Sequence, residues 1–265
     1  MSLERTARIL GAHPLIAVAP AGLDTEPLLA RYAGIRVERF PKRYFRSLRG
    51  YNNMMLSDEF YRRFASYEYI LLCQLDAFPI RDELAEWCRK GWDYVGAPWF
   101  ADFERGGSDA FIGAGNGGFS LRRVDAFRAV LAAGTLHADP ERWATLGRDF
   151  RLRSTRLVPI LIGASRVLPR VPWARLFRMC FSGNEDLFWS AYAPFMLPGF
   201  RTAPVDEALR FAFDCQPRLC WERAGRRLPF GCHAWFKYDP AFWLAVLEGR
   251  EPPALQGLRD GSRCN

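Results

Sequence analysis

The sequence predicts an α/β fold with a mostly parallel central sheet and flanking helices, because apolar runs alternate with helical patterns along its first half. Leu15–Ala19 is a short apolar run that ends at Pro20. Tyr69–Cys73 is a continuous apolar run of the kind found in strands buried on both faces. Tyr94–Ala97 predicts a third strand, which we expect Pro98 to end.

Helices are predicted where acidic residues open an amphipathic pattern and a glycine follows it. One begins at Asp82 and stops at Gly91, and another covers about residues 124–133. In the second half, a helix is predicted to open at Asn184-Glu185-Asp186, and Val205–Phe213 carries a further helical pattern. These helices are expected to flank the sheet.

Length and composition indicate one folded domain. The chain has 265 residues, of which 49% are hydrophobic and 25% charged, so a sizeable core can form and disorder as the main state is excluded. No repeat or linker interrupts it. We therefore predict a single domain over 1–250, with a basic insertion at about 139–180 and a loose tail at 251–265.

Several features favour the cytoplasm. No stretch has the eighteen or so apolar residues that a membrane-spanning helix needs. Glu4 and Arg8 lie where a signal peptide would be apolar. The seven cysteines form no CxxC pair, which favours reduced thiols over a disulfide framework.

The net charge of +8 comes almost entirely from one segment, which we call the basic window (Arg151–Arg178). It contains no acid and seven arginines: Arg151, Arg153, Arg156, Arg166, Arg170, Arg175 and Arg178. Because the rest of the chain adds no basic field, nucleic acid is not expected as a partner. Apolar residues between the arginines favour an anionic membrane surface or a phosphate-bearing acceptor, and a solvated insertion is the alternative.

Gln74-Leu75-Asp76 follows the predicted strand at Tyr69–Cys73 directly. In open α/β sheets, ligands bind beyond the carboxyl ends of strands, where an acid can hold a metal or a sugar hydroxyl. A turn acid that caps the backbone before Pro79 is an equally good interpretation.

The segment Gly113–Gly118 satisfies the pattern GxGxxG around Asn116. A dinucleotide fingerprint should open a helix directly, whereas Phe119-Ser120-Leu121 predicts a short strand, so we exclude that interpretation. Four glycines in six residues instead indicate a loop that a bulky ligand can approach closely.

Two further groups of residues have both structural and chemical interpretations. Glu185 and Asp186 stand at a predicted helix start, where acids often serve as caps, but one of them could accept a proton from a hydroxyl nucleophile. His233 lies among aromatic residues that would either fill a core or wall a pocket. His13 and His137 are expected at the surface.

Five phrases, taken together and in order, resemble a bacterial family of GT-A-like glycosyltransferases of unknown specificity, of the surface-polysaccharide type. They lie between about residues 51 and 238 and read YNNMMLSDEFYRRFASYEYILLCQLDAFPIRDELAEWC, WDYVGAPW, GNGGFSLR, NEDLFW and LPFGCHAW. The resemblance implies a GT-A-like fold, a nucleotide-sugar donor, and a glycan or lipid-linked acceptor.

The resemblance also implies roles for residues of the first and third phrases. QLDAF occupies the place of an acid-x-acid motif, with Asp76 at the last acid and Gln74 where the first would be. The glycine phrase makes Asn116, Gly117 and Gly118 candidates for contact with donor and acceptor.

The remaining phrases imply the catalytic and metal residues. Asp186 corresponds to the base of inverting members, and Glu185 would hold acceptor hydroxyls. His233 stands where such enzymes keep a histidine that binds metal or diphosphate, so Asp76 and His233 are the predicted ligands of a divalent cation, Mn²⁺ or Mg²⁺. Trp99 and Trp235 are additional candidates for substrate binding.

The N-terminus departs from the family pattern. Residues 1–14 resemble the helix that follows the first strand of a GT-A domain, so the nucleotide-binding strand is expected to be missing. Either translation begins upstream or part of the donor pocket is lost.

Together these observations predict a cytoplasmic, inverting glycosyltransferase, peripheral at the inner membrane. In the predicted step, the hydroxyl of a surface-glycan acceptor attacks the sugar of a nucleotide-sugar donor. The alternative is a non-catalytic glycan- or lipid-binding protein on a decayed transferase scaffold, which would leave the donor intact.

Overall fold

The computed structural model describes residues 1–101, 108–137, 163–164, 167–168 and 171–254. Its described strands are β1 (Ile16–Pro20), β2 (Arg36–Phe40), β3 (Tyr69–Cys73), β4 (Phe78–Pro79), β5 (Tyr94–Phe100), β6 (Phe111–Arg123), β7 (Ala212–Phe213) and β8 (Gly231–Cys232). The described α-helices are Ser2–Ile9, Glu26–Arg31, Leu48–Met55, Asp58–Arg63, Leu84–Arg89, Val124–Ala132, Trp173–Cys180, Glu185–Leu187, Ala193–Met196, Val205–Phe211, Pro217–Arg223 and Pro240–Leu247. A 3₁₀ turn covers Lys42–Phe45, and a π-helical turn covers Phe188–Tyr192.

The chain divides into two compact units. Unit 1 consists of Met1–Leu3, Leu71–Arg122 and Thr202–Asn265, and unit 2 of Glu4–Ile70 and Arg123–Arg201. The single domain predicted over 1–250 stays a prediction.

The described strands form three small sheets, so the predicted mostly parallel central sheet of a GT-A-like fold is wrong. β1 and β2 form a two-stranded parallel sheet. The second sheet has the order β3-β6-β5, with β5 and β6 antiparallel. In the third, of order β4-β8-β7, β8 is antiparallel to β4 and parallel to β7.

The short connection between β5 and β6 explains why these two strands are antiparallel and not parallel. Only ten residues, 101–110, separate the two strands, and a parallel crossover needs about a dozen or more. The glycine segment Gly113–Gly118, predicted as a loop, lies inside β6 and pairs with β5.

Most predicted elements are confirmed, including β1 and the helices that begin at Leu84, Val124 and Val205. Pro98 does not end β5, because the pairing shifts there and an edge strand tolerates a residue without an N–H group. β3 is half-buried rather than buried on both faces, because it lies at the edge of its sheet.

Each unit has an aromatic core. In unit 1, the buried Trp243 ring lies 5.9 Å from the ring of Phe78 in β4 and 5.0 Å from that of Phe242. In unit 2, the Phe127 ring lies 4.0 Å from that of Trp189. Aromatic rings bury large apolar areas, so these cores fix the strands and helices that carry the polar residues.

Two sequence expectations concern membranes and thiols. Within the described ranges, no helix is long and apolar enough to cross a membrane. All six cysteines in the described part of the chain carry free thiols, as their spacing predicted.

Candidate functional site

The third sheet of unit 1 brings three charged residues to one edge. Phe213 of β7 pairs with Cys232 of β8, so the next residues of these parallel strands, Asp214 and His233, lie side by side. The antiparallel β4 begins at the same edge, two residues after Asp76. The short strands therefore place two carboxylates around one imidazole.

These residues, with Gln74 and Asn116, form what we call the carboxylate–imidazole cluster. His233 Nδ1 lies 3.0 Å from Asp214 Oδ1. On the other side of the ring, Nε2 lies 3.2 Å from Gln74 Oε1 and 3.5 Å from Asp76 Oδ1. The structure thus brings together Gln74, Asp76 and His233, which the sequence proposed as site residues.

The imidazole lies directly against the glycine segment. A Cβ atom at Gly118 would be only 2.1 Å from Cδ2 and 2.2 Å from Nε2 of His233. Only glycine leaves room for the ring at this position. The Gly118 carbonyl also accepts the Gln74 N–H at 2.9 Å, so the segment contacts both sides of the cluster.

Asn116 connects the glycine segment to Asp214. Its Nδ2 donates to Asp214 Oδ2 at 2.9 Å, and its Oδ1 accepts from the Gly118 N–H at 3.0 Å. Gly117, the third residue predicted here for ligand contact, is buried. Asp214, at 5% exposure, therefore has a hydrogen-bond donor on each carboxylate oxygen.

Sequence reasoning missed Asp214. The helical pattern was extended over Val205–Phe213, whereas the helix ends at Phe211 and a two-residue strand follows. The available signal was an acid placed directly after an apolar run, the same signal that pointed to Asp76.

Electrostatics within the cluster favour a positively charged imidazole. Burial lowers the pKa of His233, but hydrogen bonds and charge interactions with Asp214 and Asp76 outweigh it and raise the pKa to about 9. The hydrogen bond with His233 lowers the pKa of Asp76, against the opposing effect of burial. Each group thus stabilises the charged form of its partner.

The donor atoms that face Nε2 suit a hard or borderline divalent cation. Within the described part of the chain, no group of three or more His, Cys, Asp or Glu side chains could hold a metal ion. The cluster offers two side chains of these types, with His233 Nε2 and Asp76 Oδ1 as the binding atoms. The amide oxygen of Gln74 adds a third binding atom. Mg²⁺-type sites commonly use one or two carboxylates and complete their shell with substrate phosphate, so this set fits a cation shared with a ligand.

The two tryptophans proposed for substrate binding have different surroundings. Trp235 is half-buried; its backbone N–H lies 3.4 Å from the Asp76 carbonyl, and its indole N–H donates to Ser2 Oγ at 3.0 Å. Trp99 lies on β5 opposite Gly113 and is also half-buried. Trp235 is thus tied to the cluster by its backbone, and Trp99 to the start of the glycine segment.

Glu185 and Asp186 belong to unit 2, not to the unit that carries the cluster. Glu185 is 2% exposed, and its N–H donates to Asn52 Oδ1 at 3.2 Å. Asp186 is half-buried, and its Oδ1 accepts from the Leu187 N–H at 2.8 Å. Of the two acids, Asp186 is the one more open to solvent.

Most of the basic window lies outside the described residues, including Arg151, Arg153, Arg156, Arg166 and Arg170. Arg175 is exposed on the helix Trp173–Cys180. Arg178 is half-buried and donates to the Leu131 carbonyl, and burial and the nearby Arg175 lower its pKa. Arg178 therefore has a structural partner within unit 2.

Comparison with known proteins gives a family match. A family model described as "Protein of unknown function (DUF5672)" matches residues 34–233, three-quarters of the chain. No curated protein and no solved structure matches. The matched range includes every residue of the carboxylate–imidazole cluster, and His233 is its last position.

The raised pKa of His233 predicts that the free energy of unfolding falls as pH rises. The unfolded imidazole releases its proton near pH 6.5 and the folded one near pH 9, so the stabilisation is complete below pH 6.5 and lost through pH 9. The total change is about 3 kcal/mol at most. Denaturant unfolding at several pH values, with EDTA present, measures it.

His233→Gln should remove this slope, whereas the exposed His137→Gln should keep it. The buried thiol of Cys215, whose pKa burial raises from 9.0 to about 12, lowers stability only above about pH 9 and so lies outside this range. A wild-type curve identical to that of His233→Gln between pH 6.5 and 9 would contradict the assignment.

Proposed function

We propose a function for this chain, which belongs to the family described as "Protein of unknown function (DUF5672)". It is a glycosyltransferase that moves a sugar, with inversion, from a nucleotide-sugar donor to a hydroxyl of a surface-glycan acceptor. The observation that carries the proposal is the convergence of His233 Nε2, Asp76 Oδ1 and Gln74 Oε1, with Asp214 on the far side of the ring. The sequence phrases that resemble glycosyltransferases supply the reaction class.

The cluster supports binding of the donor's diphosphate. His233 Nε2, Asp76 Oδ1 and Gln74 Oε1 would hold Mn²⁺ or Mg²⁺, whose charge, when the cation is bound, offsets the negative charge that develops on the departing diphosphate. Gln74 replaces an acid of the resembled motif with a neutral oxygen donor. This lowers the negative charge that faces a diphosphate while keeping an oxygen in place.

Asp214 and Asn116 would act on the imidazole rather than on the substrate. A histidine that binds metal through one nitrogen commonly donates its other N–H to a carboxylate, which fixes the ring orientation. Asp214 has this position at Nδ1, and Asn116 fixes Asp214 in turn. We therefore assign Asp214 as a positioning residue.

The chemical step needs a base for the acceptor hydroxyl, and we propose Asp186. The acceptor oxygen forms a bond to the anomeric carbon, its proton moves to the Asp186 carboxylate, and the bond to the diphosphate oxygen breaks with the electron pair on that oxygen. A single displacement of this kind inverts the anomeric carbon. The NED resemblance and the greater exposure of Asp186 than of Glu185 support this choice; Glu185, proposed for acceptor hydroxyls, is buried.

Peripheral membrane association stays a separate proposal, supported by the helix at the C-terminal end of the basic window. On the helix Trp173–Cys180, Leu176 is 40% and Met179 70% exposed, next to the exposed Arg175. Exposed apolar side chains beside arginines suit the interface of an anionic membrane, where a lipid-linked acceptor would be reached.

The cation site predicts that Asp214→Asn binds Mn²⁺ about 10–100-fold more weakly than wild type, because changes to such outer partners of a ligand typically cost this much. Titration calorimetry of Mn²⁺ measures the affinity, and a panel of nucleotide-sugars with acceptor glycans tests transfer. Asp206→Asn, an exposed acid of unit 1, is the matched control. A wild-type protein that retains glycan but leaves every nucleotide-sugar intact in Mn²⁺ would instead support the non-catalytic binder.

Asp186→Asn should lower transfer by about two to four orders of magnitude, because a general base acts in the transition state, while donor affinity stays unchanged. The amide keeps an oxygen that can accept the Leu187 N–H, so the local backbone is preserved. Steady-state transfer rates and donor titration separate the two effects. Asp58→Asn, an exposed acid in the first turn of a unit 2 helix, should transfer normally; near-normal turnover of Asp186→Asn would exclude it as the base.

Replacing Arg166, Arg170 and Arg175 with Gln should weaken binding to anionic vesicles by about 3 kcal/mol at most, because each arginine near such a surface contributes about 1 kcal/mol. Arg178 is left unchanged because it bonds to Leu131. Vesicle sedimentation at low and high salt measures the binding, which salt should weaken by screening.

Arg46, Arg49 and Arg62 are exposed arginines outside the window, and their replacement with Gln is the control of equal charge. If wild-type protein stays in the supernatant at low salt, or if both triple variants bind equally weakly, the window does not form a membrane surface.

A further inference from the structure

Three fully buried polar side chains lie behind the glycine segment. The Tyr94 hydroxyl donates to the Gly115 carbonyl at 2.5 Å. The Ser120 hydroxyl donates to the Gly117 carbonyl at 2.9 Å, and Arg122 Nη2 lies 3.5 Å from the same oxygen. All three side chains are 0% exposed. We call Tyr94, Ser120 and Arg122 the buried support.

The buried support lies where the regular pairing of β6 with β5 is interrupted. Gly96 of β5 is opposite Ser120, but the next residue, Ala97, is opposite Asn116, so residues 117–119 bulge out of the ladder. Backbone carbonyls in such a bulge lose their regular partners and need others when buried. The hydroxyl and guanidinium groups of the support supply donors to the carbonyls of Gly115 and Gly117.

Asn116 lies between these two anchored carbonyls. Its own carbonyl is so close to Gly96 that a Cβ there would be 2.2 Å from the oxygen, which leaves the backbone little room to shift toward β5. On the other side, its side chain holds Asp214. The position of the Asn116 amide is thus set by donors that bind the carbonyls of its two neighbours.

We propose that Tyr94, Ser120 and Arg122 are positioning residues, which fix the glycine segment and through it Asp214, His233 and Gln74. The proposal rests on the proposed function, since it assigns the support a part in holding the cation-binding atoms. The segment reaches the cluster by three contacts: Asn116 to Asp214, Gly118 against the His233 ring, and the Gly118 carbonyl to the Gln74 N–H. A shift of the segment would therefore disturb the contacts of both imidazole nitrogens, Nδ1 with Asp214 and Nε2 with Gln74.

Arg122 adds rigidity to this support. Its Nε donates to Ser120 Oγ at 3.0 Å, and its guanidinium carbon lies 5.6 Å from the centre of the Tyr94 ring. The three side chains thus contact one another as well as the segment. A buried, connected polar network of this kind holds one arrangement, because any other would leave buried donors or acceptors without partners.

The test uses the double variant Tyr94→Phe with Ser120→Ala, which removes two hydroxyls and keeps Arg122. Tyr61→Phe is the matched control, because Tyr61 is equally buried and its hydroxyl donates to the Met55 carbonyl at 3.0 Å in unit 2. Both variants lose buried hydroxyl-to-carbonyl bonds, but only the double variant touches the glycine segment.

Two measurements separate positioning from general stability. The first is Mn²⁺ affinity by calorimetry, which should fall about tenfold or more in the double variant and stay unchanged in Tyr61→Phe. The second is the NMR signal of the His233 imidazole nitrogens in metal-free protein, which should shift in the double variant alone. The chain has three histidines, so the signal that disappears in His233→Gln identifies His233.

The outcomes distinguish the two proposals. If the double variant is folded and keeps both wild-type Mn²⁺ affinity and wild-type His233 signals, the support does not position the cluster. If wild-type protein binds no Mn²⁺, the cation part of the proposed function is wrong, and the His233 signals in metal-free protein decide the positioning proposal alone. If the double variant does not fold, Tyr94→Phe and Ser120→Ala are tested singly by the same signals.

Discussion

The contact between Asp214 and His233 is the constraint on which the rest of the candidate site depends. Asp214 is buried, and a buried carboxylate is stable only when charge and hydrogen bonds replace the water it has lost. His233 supplies the charge at 3.0 Å and Asn116 supplies the second donor at 2.9 Å. The imidazole can take this position only because Gly118 has no side chain. The strand ends, the glycine segment and the charge of the imidazole are therefore parts of one arrangement.

Particular residues show how much of this could be predicted from the sequence. Asp76 and His233 were proposed as one site from their phrases, and the structure places their side chains 3.5 Å apart, although their role as metal ligands stays a prediction. Asp214 could not be found, because β7 has only two residues and no periodic pattern marks so short a strand. The same holds for β4 and β8, which set the edge of the third sheet. Strands of two residues form because neighbouring strands hydrogen-bond to them. Those neighbours are distant in the sequence, so a local sequence pattern cannot predict such strands.

The glycine segment shows the opposite kind of failure. Glycines weaken strand propensity, so four of them predicted a loop. In the structure the segment is part of β6 because the hydroxyls of Tyr94 and Ser120 and the guanidinium of Arg122 bind its carbonyls from within the core. These side-chain contacts and the pairing with β5 overrode the local preference. Gly118 does permit a close approach, that of the His233 ring, because it has no side chain. Ligand contact at this segment stays a prediction.

The fold class was predicted wrongly, whereas Gln74, Asp76 and His233 lie together as predicted site residues of unit 1, and the two results are compatible. A site formed at strand ends needs only the local register of a few neighbouring strands, and β7, β8 and β4 supply that register without a large parallel sheet. Function accordingly has to be argued from the site and not from the architecture. In the proposed cation site, the metal would bind at His233 Nε2. A cation that binds there must replace a proton that Asp76 and Gln74 already stabilise, while Asp214 keeps its contact with Nδ1 in either case. In this proposal, Asp214, Asn116 and the glycine segment keep their contacts, and only the group at Nε2 changes when a cation binds.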